Sequence, residues 1–229
     1  MTRSSGTRRH GLARVLSKRG ICSRSEAERL IRAGQVRLDG RVVRDPEHPT
    51  DVQAALIDVA GSAQATSPRY VMLNKPRGLV TTARDEHGRD TVYRCFEGSG
   101  LGWLAPVGRL DKASEGLLLF TNDPQWGAAI TDTAVGPDKT YHVQVDRVPD
   151  ADALQALTDG IDCGGETLSV KSVALLRSGG KTAWLEIVLD EGRNRQIRRL
   201  LAARDIAVLR LVRVAIGSLQ LGQLTKGQW

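Results

Sequence analysis

The residues best suited to chemistry are a carboxylate, an aromatic ring and a set of guanidinium groups carried by three short strings. The first, Val107-Gly108-Arg109-Leu110-Asp111-Lys112-Ala113-Ser114-Glu115-Gly116, is a charged turn bounded by glycines that runs straight into Leu117-Leu118-Leu119-Phe120-Thr121-Asn122-Asp123. Gly108 and Gly116 permit turn conformations that other residues resist, and Leu117 to Phe120 reads as a buried strand. A rigid element behind an acid is how a reactive group is held in place. An Asp in a Gly-rich loop most often only caps the turn, so Asp111 needs company before it counts as a nucleophile.

In the second string, Asp138-Lys139-Thr140-Tyr141-His142-Val143-Gln144-Val145, strand alternation puts Tyr141 with Val143 and Val145 on the buried face. A core tyrosine with a satisfied hydroxyl explains that ring as readily as a functional one. The third string, Glu191-Gly192-Arg193-Asn194-Arg195-Gln196-Ile197-Arg198-Arg199-Leu200, crowds four arginines into the first turns of a helix whose Ile197, Leu200 and Leu201 face the core. Such a cluster suits a solvated face or a phosphate-contacting patch. It also suits a carboxylate partner: burial tends to keep an Asp protonated, and a guanidinium, always charged and able to bond through two donors, restores the anion.

The elements that must position these groups fall into two parts. Residues 1–9 read as a basic arm. Leu12, Val15 and Leu16 have helical spacing, and Ser23-Arg24-Ser25-Glu26 fits a capping box that opens a second helix over Ala27, Leu30 and Ile31, closed by Gly34. Asp39-Gly40, between Val36-Arg37-Leu38 and Arg41-Val42-Val43, is a favoured hairpin turn, and Val52 to Val59 reads as a last irregular strand. These elements make a small module over residues 10–60. A linker composition follows over 61–68.

From 69 to 229, expected strands are Tyr70 to Leu73, Leu117 to Thr121, Thr140 to Val145, Leu168 to Leu176, Ala183 to Leu189 and Val208 to Val214. Expected helices are Ala151 to Thr158 and Asn194 to Arg204. Many strands with few helices predict an α+β class, with a mixed, mainly antiparallel sheet and flanking helices.

The chain of 229 residues carries a net charge of +7, and the charge is segregated. Residues 1–44 hold eleven arginines and one lysine against three acidic residues, a net +9 that leaves −2 for the remainder. A basic excess in one short segment is the electrostatic footprint of nucleic-acid binding, so Arg14, Lys18, Arg19, Arg24, Arg29 and Arg32 are expected contacts to RNA or DNA. No apolar run approaches the roughly 20 residues of a membrane span, and the N-terminus lacks a secretory signal, so a cytoplasmic protein is expected. Cys22, Cys95 and Cys163 include no Cys-x-x-Cys pair, and His10, His48, His87 and His142 show no ligand spacing. No metal and no cofactor are expected.

Taken together, the strings resemble the active-site motifs of the RNA pseudouridine synthases, in the branch comprising RsuA, RluB, RluE and RluF. The resemblance rests on Gly108-Arg109-Leu110-Asp111 with its Gly116-Leu117-Leu118-Leu119-Phe120-Thr121-Asn122-Asp123 strand, on Lys139-x-Tyr141, and on Asn194-x-Gln196-Ile197-Arg198. The string from Leu16 to Val36 with Asp39-Gly40 is similar to an S4-like RNA-binding module, with Asp39 where Asn is usual. Together these cover the chain from about Leu12. At Leu219 to Trp229 the sequence stops where relatives usually continue with another basic residue and a short tail.

The resemblance implies the pseudouridine synthase fold, with Asp111 as nucleophile, Tyr141 stacking on the target base and Arg198 paired with the catalytic carboxylate. Arg109, beside the nucleophile, would occupy the stack vacated by a flipped base or hold the displaced strand, with Lys139, Arg193, Arg195 and Arg199 as further RNA or structural contacts. Leu73-Asn74-Lys75-Pro76-Arg77-Gly78 matches a Lys-Pro-x-Gly strand end of this branch, read as scaffold with Lys75 as an RNA contact. The implied partner is ribosomal RNA or a ribosome-assembly intermediate, met by a monomer. The arginine-rich form of residues 193–199 favours a large-subunit target over a small-subunit one. Two rivals remain at this point: a non-catalytic ribosome-assembly factor, and a glycosidase pairing Asp111 with Glu115.

Overall fold

The structure, a computed structural model, describes residues 9–52, 55–60, 67–83 and 85–229. The expected arm (apart from Arg9) and most of the expected linker lie outside the described residues. The chain divides into two compact units. One comprises the described part of Met1–Tyr70 with Ser99–Ala105 and Phe120–Gly127; the other comprises the described part of Val71–Gly98 with Pro106–Leu119 and Ala128–Trp229.

The first unit contains β1 (Arg9–Gly11), α1 (Leu12–Lys18), α2 (Arg24–Arg32), β2 (Val36–Leu38), β3 (Arg41–Val42), β4 (Pro49–Asp51) and β5 (Ile57–Val59). Its helices pack around Leu12, Leu16, Ala27 and Ile31, all fully buried, which are the positions that helical spacing puts inward. The Ser23 hydroxyl caps α2 by accepting from the Glu26 amide at 3.1 Å. The other half of the expected capping box is replaced, because the Glu26 carboxylate takes two hydrogen bonds from Arg29. Asp39 and Gly40 both have positive φ, 48° and 80°, the conformation of a two-residue turn that matches strand twist. The strand expected over Val52 to Val59 is confined to β5, paired with β2, and Gln53 and Ala54 lie outside the described residues.

The second unit is built on a sheet to which β6 (Tyr70–Lys75), β7 (Ala105–Val107), β8 (Glu115–Thr121), β9 (Lys139–Val145), β12 (Ser172–Ser178), β13 (Ala183–Leu189), β14 (Val208–Ile216) and β15 (Leu219–Gln220) contribute. The main order is β12-β13-β9-β14-β8-β6. β14 runs parallel to β8 and antiparallel to β9, so the sheet is mixed and the α+β expectation holds. α3 (Pro124–Thr131) begins within the first unit's Phe120–Gly127; outside the sheet in the second unit lie α4 (Ala151–Asp159), α5 (Gln196–Ala202) and a hairpin of β10 (Ile161–Asp162) with β11 (Thr167–Leu168). Val143, Leu185, Ile187 and Leu211 form one sheet face of the core, and Leu157, Leu200 and Leu201 from α4 and α5 close over it.

Three boundaries depart from expectation. The strand expected over Leu168 to Leu176 is broken, because the Val170 amide turns away to the Leu157 carbonyl at 2.8 Å. The last helix starts at Gln196 rather than Asn194, because Arg195 sits at φ 50°, ψ 31°, a left-handed conformation that cannot lie inside a right-handed helix. α3 was not anticipated; it has no buried residue, so it presents no apolar stripe to read.

Candidate active site

β8 is the anchor of the site, buried at every position. At its start Gly116 lies beside Arg213 of the parallel neighbour β14, at φ 101°, and a Cβ there would collide with the Arg213 carbonyl. Only glycine fits, because the backbone conformation and the close approach each exclude a side chain. Gly108, at φ 73°, opens the turn at its other end.

The turn between these glycines is tied down from beneath. Lys75, at the end of β6, is fully buried, and its ammonium donates to the carbonyls of Ser114 (2.8 Å), Pro76 (3.1 Å) and Asp111 (3.2 Å). The Thr81 hydroxyl donates to the Leu110 carbonyl at 2.7 Å, and the Gly78 amide to the Lys112 carbonyl at 2.8 Å. The backbone carbonyls of Leu110, Asp111, Lys112 and Ser114 are thereby fixed by the end of β6 and the segment after it. The expectation that Lys75 contacts RNA is corrected: a side chain with no exposure and three carbonyl partners is part of the scaffold. Burial pushes its ammonium down to about 8, against the pull of Glu115, Asp111 and Cys95.

A second brace lies at Glu115, buried at 3% exposure of its side chain. Arg210 grips it through two nitrogens at 3.0 and 3.1 Å, and Lys226 at 2.6 Å. Burial alone would raise this carboxyl, but Arg210 and Lys226 outweigh it and hold it below the usual range. A buried anion clamped by two cations is no proton donor at neutral pH, which removes Glu115 as the acid partner that a glycosidase would need. The C-terminal segment that brings Lys226 is itself docked on the end of β6: the Gly227 amide donates to Asn74, and the Asn74 amide to Gln228.

Above the turn is a cavity of about 110 Å³ lined by Arg109, Asp111, Tyr141, Arg195 and Arg198 among others. Tyr141 is half-buried and packs against the main core, as the alternation of β9 requires. Arg109 is exposed at the edge.

The arginines behave differently from one another. The Asp111 carboxylate receives the Arg195 guanidinium at 3.1 Å. Arg198, expected as that partner, instead donates to the Ala113 carbonyl at 3.3 Å, while its Nε is buried with no hydrogen-bond partner among the described residues. The reason is geometric: Arg198 is in the first turn of α5, and helical side chains lean back toward the N-terminus, here onto the turn at Ala113. Arg195 precedes the helix in left-handed backbone and reaches the carboxylate directly. Burial lowers the Arg198 guanidinium, and Arg195 and Arg77 add to that, opposed by Asp111.

Arg193 and Arg199 both turn to Glu166 in the β10–β11 hairpin, at 2.6 and 2.7 Å, and Arg193 also pairs with Glu191 at 2.8 Å. These two are engaged by the protein's own acids. Gln196, passed over in the sequence, organises this loop: at 2% exposure, it donates to Ser169 and Glu191 and accepts from the Arg193 amide. Its signal was only its type, a polar residue at a core-facing helical position. Lys139 is half-buried at the start of β9, its ammonium lowered by burial and then by Arg213.

In the first unit, Arg14 is exposed on α1, Lys18 lies 3.2 Å from His10, and Arg19 donates to the Val52 carbonyl. Arg24 pairs with Glu28 and Glu47, Arg29 with Glu26, and Arg32 with Glu28. The arginines of these pairs are exposed and their acids at least partly so, and ion pairs of that kind yield readily to a stronger anion.

Comparison with known proteins converges on one family. Residues 69–203 match the RNA pseudouridylate synthase family and residues 11–53 match the S4 domain. The chain is 34% identical to an uncharacterised RNA pseudouridine synthase of Rickettsia conorii, over 96% of this chain and 95% of that one. It is 37% identical to one from Mycobacterium tuberculosis, over 94% and 87%. A crystal structure of a pseudouridylate synthase matches with a TM-score of 0.67 and 29% identity, covering 96% of this chain and 94% of that chain. The chain belongs to the RNA pseudouridine synthase family, enzymes of the isomerase class, and carries an S4 domain at its N-terminal end. Among the described residues no helix is long and apolar enough to cross a membrane.

Proposed function

We propose that this enzyme converts one uridine of ribosomal RNA, in the large subunit, to pseudouridine, with Asp111 as the nucleophile. The reaction breaks the bond from ribose C1′ to base N1 and forms one from C1′ to C5; C5 gives up its proton and N1 takes one. Atoms balance with no cosubstrate. Asp111 attacks C1′ or base C6, and either route needs an ionised carboxylate held still. The observation that carries this reading is that Asp111, Tyr141 and four arginines, Arg109, Arg193, Arg195 and Arg198, line one cavity above a turn fixed by Lys75.

The target base must leave its stack at a cost of a few kcal/mol. Tyr141 offers the flipped ring an apolar platform, and Arg109 fills the gap. Arg195 holds the nucleophile, with the Arg198 guanidinium on the Ala113 carbonyl of the same turn. Residues 10–60 serve as the RNA-binding module and 69–229 as the catalytic domain, joined by a linker at 61–68, and the enzyme works as a monomer in the cytoplasm on ribosomal RNA or an assembly intermediate. Phosphate contacts from the basic module offset the cost of flipping and weaken with salt. The large-subunit assignment rests on the arginine-rich segment 193–199 alone.

Pseudouridine mapping across ribosomal RNA from cells with and without the gene tests the substrate. Loss of one large-subunit position is expected. Loss of a small-subunit position moves the target to that subunit, and an unchanged map removes ribosomal RNA as substrate.

A further inference from the structure

Two guanidinium groups face one carboxylate in the cavity, and they differ in what they can gain. Arg195 makes the ion pair, but half of its side chain is exposed, and it stands at the opening with exposed Arg109. Arg77, also exposed, lies close enough to Arg198 for their charges to repel. Solvent screens the Arg195 pair, so it contributes little and yields to a competing anion. Arg198 is the reverse case: half-buried and bonded, among the described residues, only to the Ala113 carbonyl, with a buried Nε that has no partner there. A partly satisfied buried cation gains most from acquiring a carboxylate.

We propose that Arg195 is a resting latch on Asp111, and that an RNA phosphate draws Arg195 off and passes the carboxylate to Arg198. This rests on the reading of Asp111 as the nucleophile. Before RNA arrives, Arg195, itself half exposed, holds the carboxylate. When the backbone of the target nucleotide enters, its phosphate takes the exposed guanidinium, for which it is the better partner. Asp111 then swings onto Arg198, whose position at the back of the cavity aims the carboxylate inward at the flipped nucleotide. Arg195 is thus an RNA-sensing residue and Arg198 the positioning residue of the loaded state. The device also disfavours attack on free small molecules, since a nucleobase without phosphate leaves the latch in place.

The test separates affinity from rate. Arg195→Gly suits the left-handed backbone and removes the guanidinium; Arg198→Gln removes the inner charge, with Arg198→Lys as its conservative companion and circular dichroism as the check on folding. RNA affinity and the single-turnover rate at saturating RNA are measured for each on a substrate transcript. For Arg195→Gly, affinity falls and the salt slope of binding drops by about 1, as for a lost phosphate contact. Its saturated rate falls by no more than about threefold, whereas Arg198→Gln loses about 100-fold in that rate, the size of effect of removing one preorganised charged donor. Arg198→Lys recovers part of the loss. The opposite split, with Arg195→Gly carrying the loss of saturated rate and Arg198→Gln nearly full speed, would overturn the hand-over and leave the synthase reading intact. Wild-type protein that forms no pseudouridine on any ribosomal transcript would instead sink the underlying function.

Discussion

Lys75 ties the chemistry of the site to its stability. Its ammonium is fully buried and bonded to the carbonyls on which the Asp111 turn hangs, and burial brings its pKa down from the ordinary 10.5 to about 8. Between those values the unfolded chain binds a proton that the folded chain does not, so the lysine's contribution to stability rises with pH across that window and is lost as pH falls through 8. Activity should move the other way, because the neutral amine has one donor fewer for three carbonyls and the turn loosens. The expected result is a single-turnover rate that declines above pH 8 while the melting temperature gains. Lys75→Met should abolish the alkaline limb and run about 10- to 100-fold slower at every pH, the order of loss for a small misplacement of a reacting group. An alkaline limb that persists in Lys75→Met would assign it to another group.

The strings around Asp111 and Tyr141 stood out in the sequence through their resemblance to the family's motifs, and the structure brings both residues to one cavity. Lys75 was misread because its role depends on burial, which is created by segments far away in the chain: the turn at 110–114 and the C-terminal stretch at 224–228. Arg195 and Arg198, three residues apart on one string, could not be told apart by spacing. Their difference comes from the left-handed backbone at Arg195.

At the scale of elements, the site depends on one parallel pairing, β8 beside β14, with Val212 opposite Glu115 and Arg213 opposite Gly116. That register brings Arg210 to Glu115 and makes Gly116 indispensable. Gly116→Ala should destabilise the protein by about 3 kcal/mol or more, since a residue forced to positive φ costs about 1–3 kcal/mol and the collision with Arg213 adds to it. Urea unfolding would show it as a lower midpoint with an unchanged slope. A midpoint within error of the wild type would mean that the strands separate easily and that β8 is not the anchor. Strands with strong alternation, such as Ala183–Leu189, were readable to the residue. Those shaped by neighbours were not: β7 and β15 are two or three residues long and exist only through their pairing with β8 and β14.

On the scale of the whole molecule, the chain separates its labours by charge. Residues 1–44 carry a net +9 and the rest a net −2, so the basic excess lies in the segment that holds most of the S4 domain, while Arg193, Arg199 and Arg210 of the remainder pair with its own acids. Near neutrality suits a domain that must accept one nucleotide and release the product. The central claim is that Asp111 performs the chemistry, and the migration of the glycosidic bond to C5 gives it a direct readout, because C5 must shed its hydrogen. Purified enzyme is incubated with ribosomal RNA transcripts carrying tritium at uridine C5, and released tritium is counted alongside RNA binding. The wild-type protein should release the label of one uridine per target RNA, whereas Asp111→Asn should bind RNA within about threefold of wild type, one carboxylate among many basic contacts, and release none. Tritium release by Asp111→Asn at a rate near that of the wild type would contradict the account.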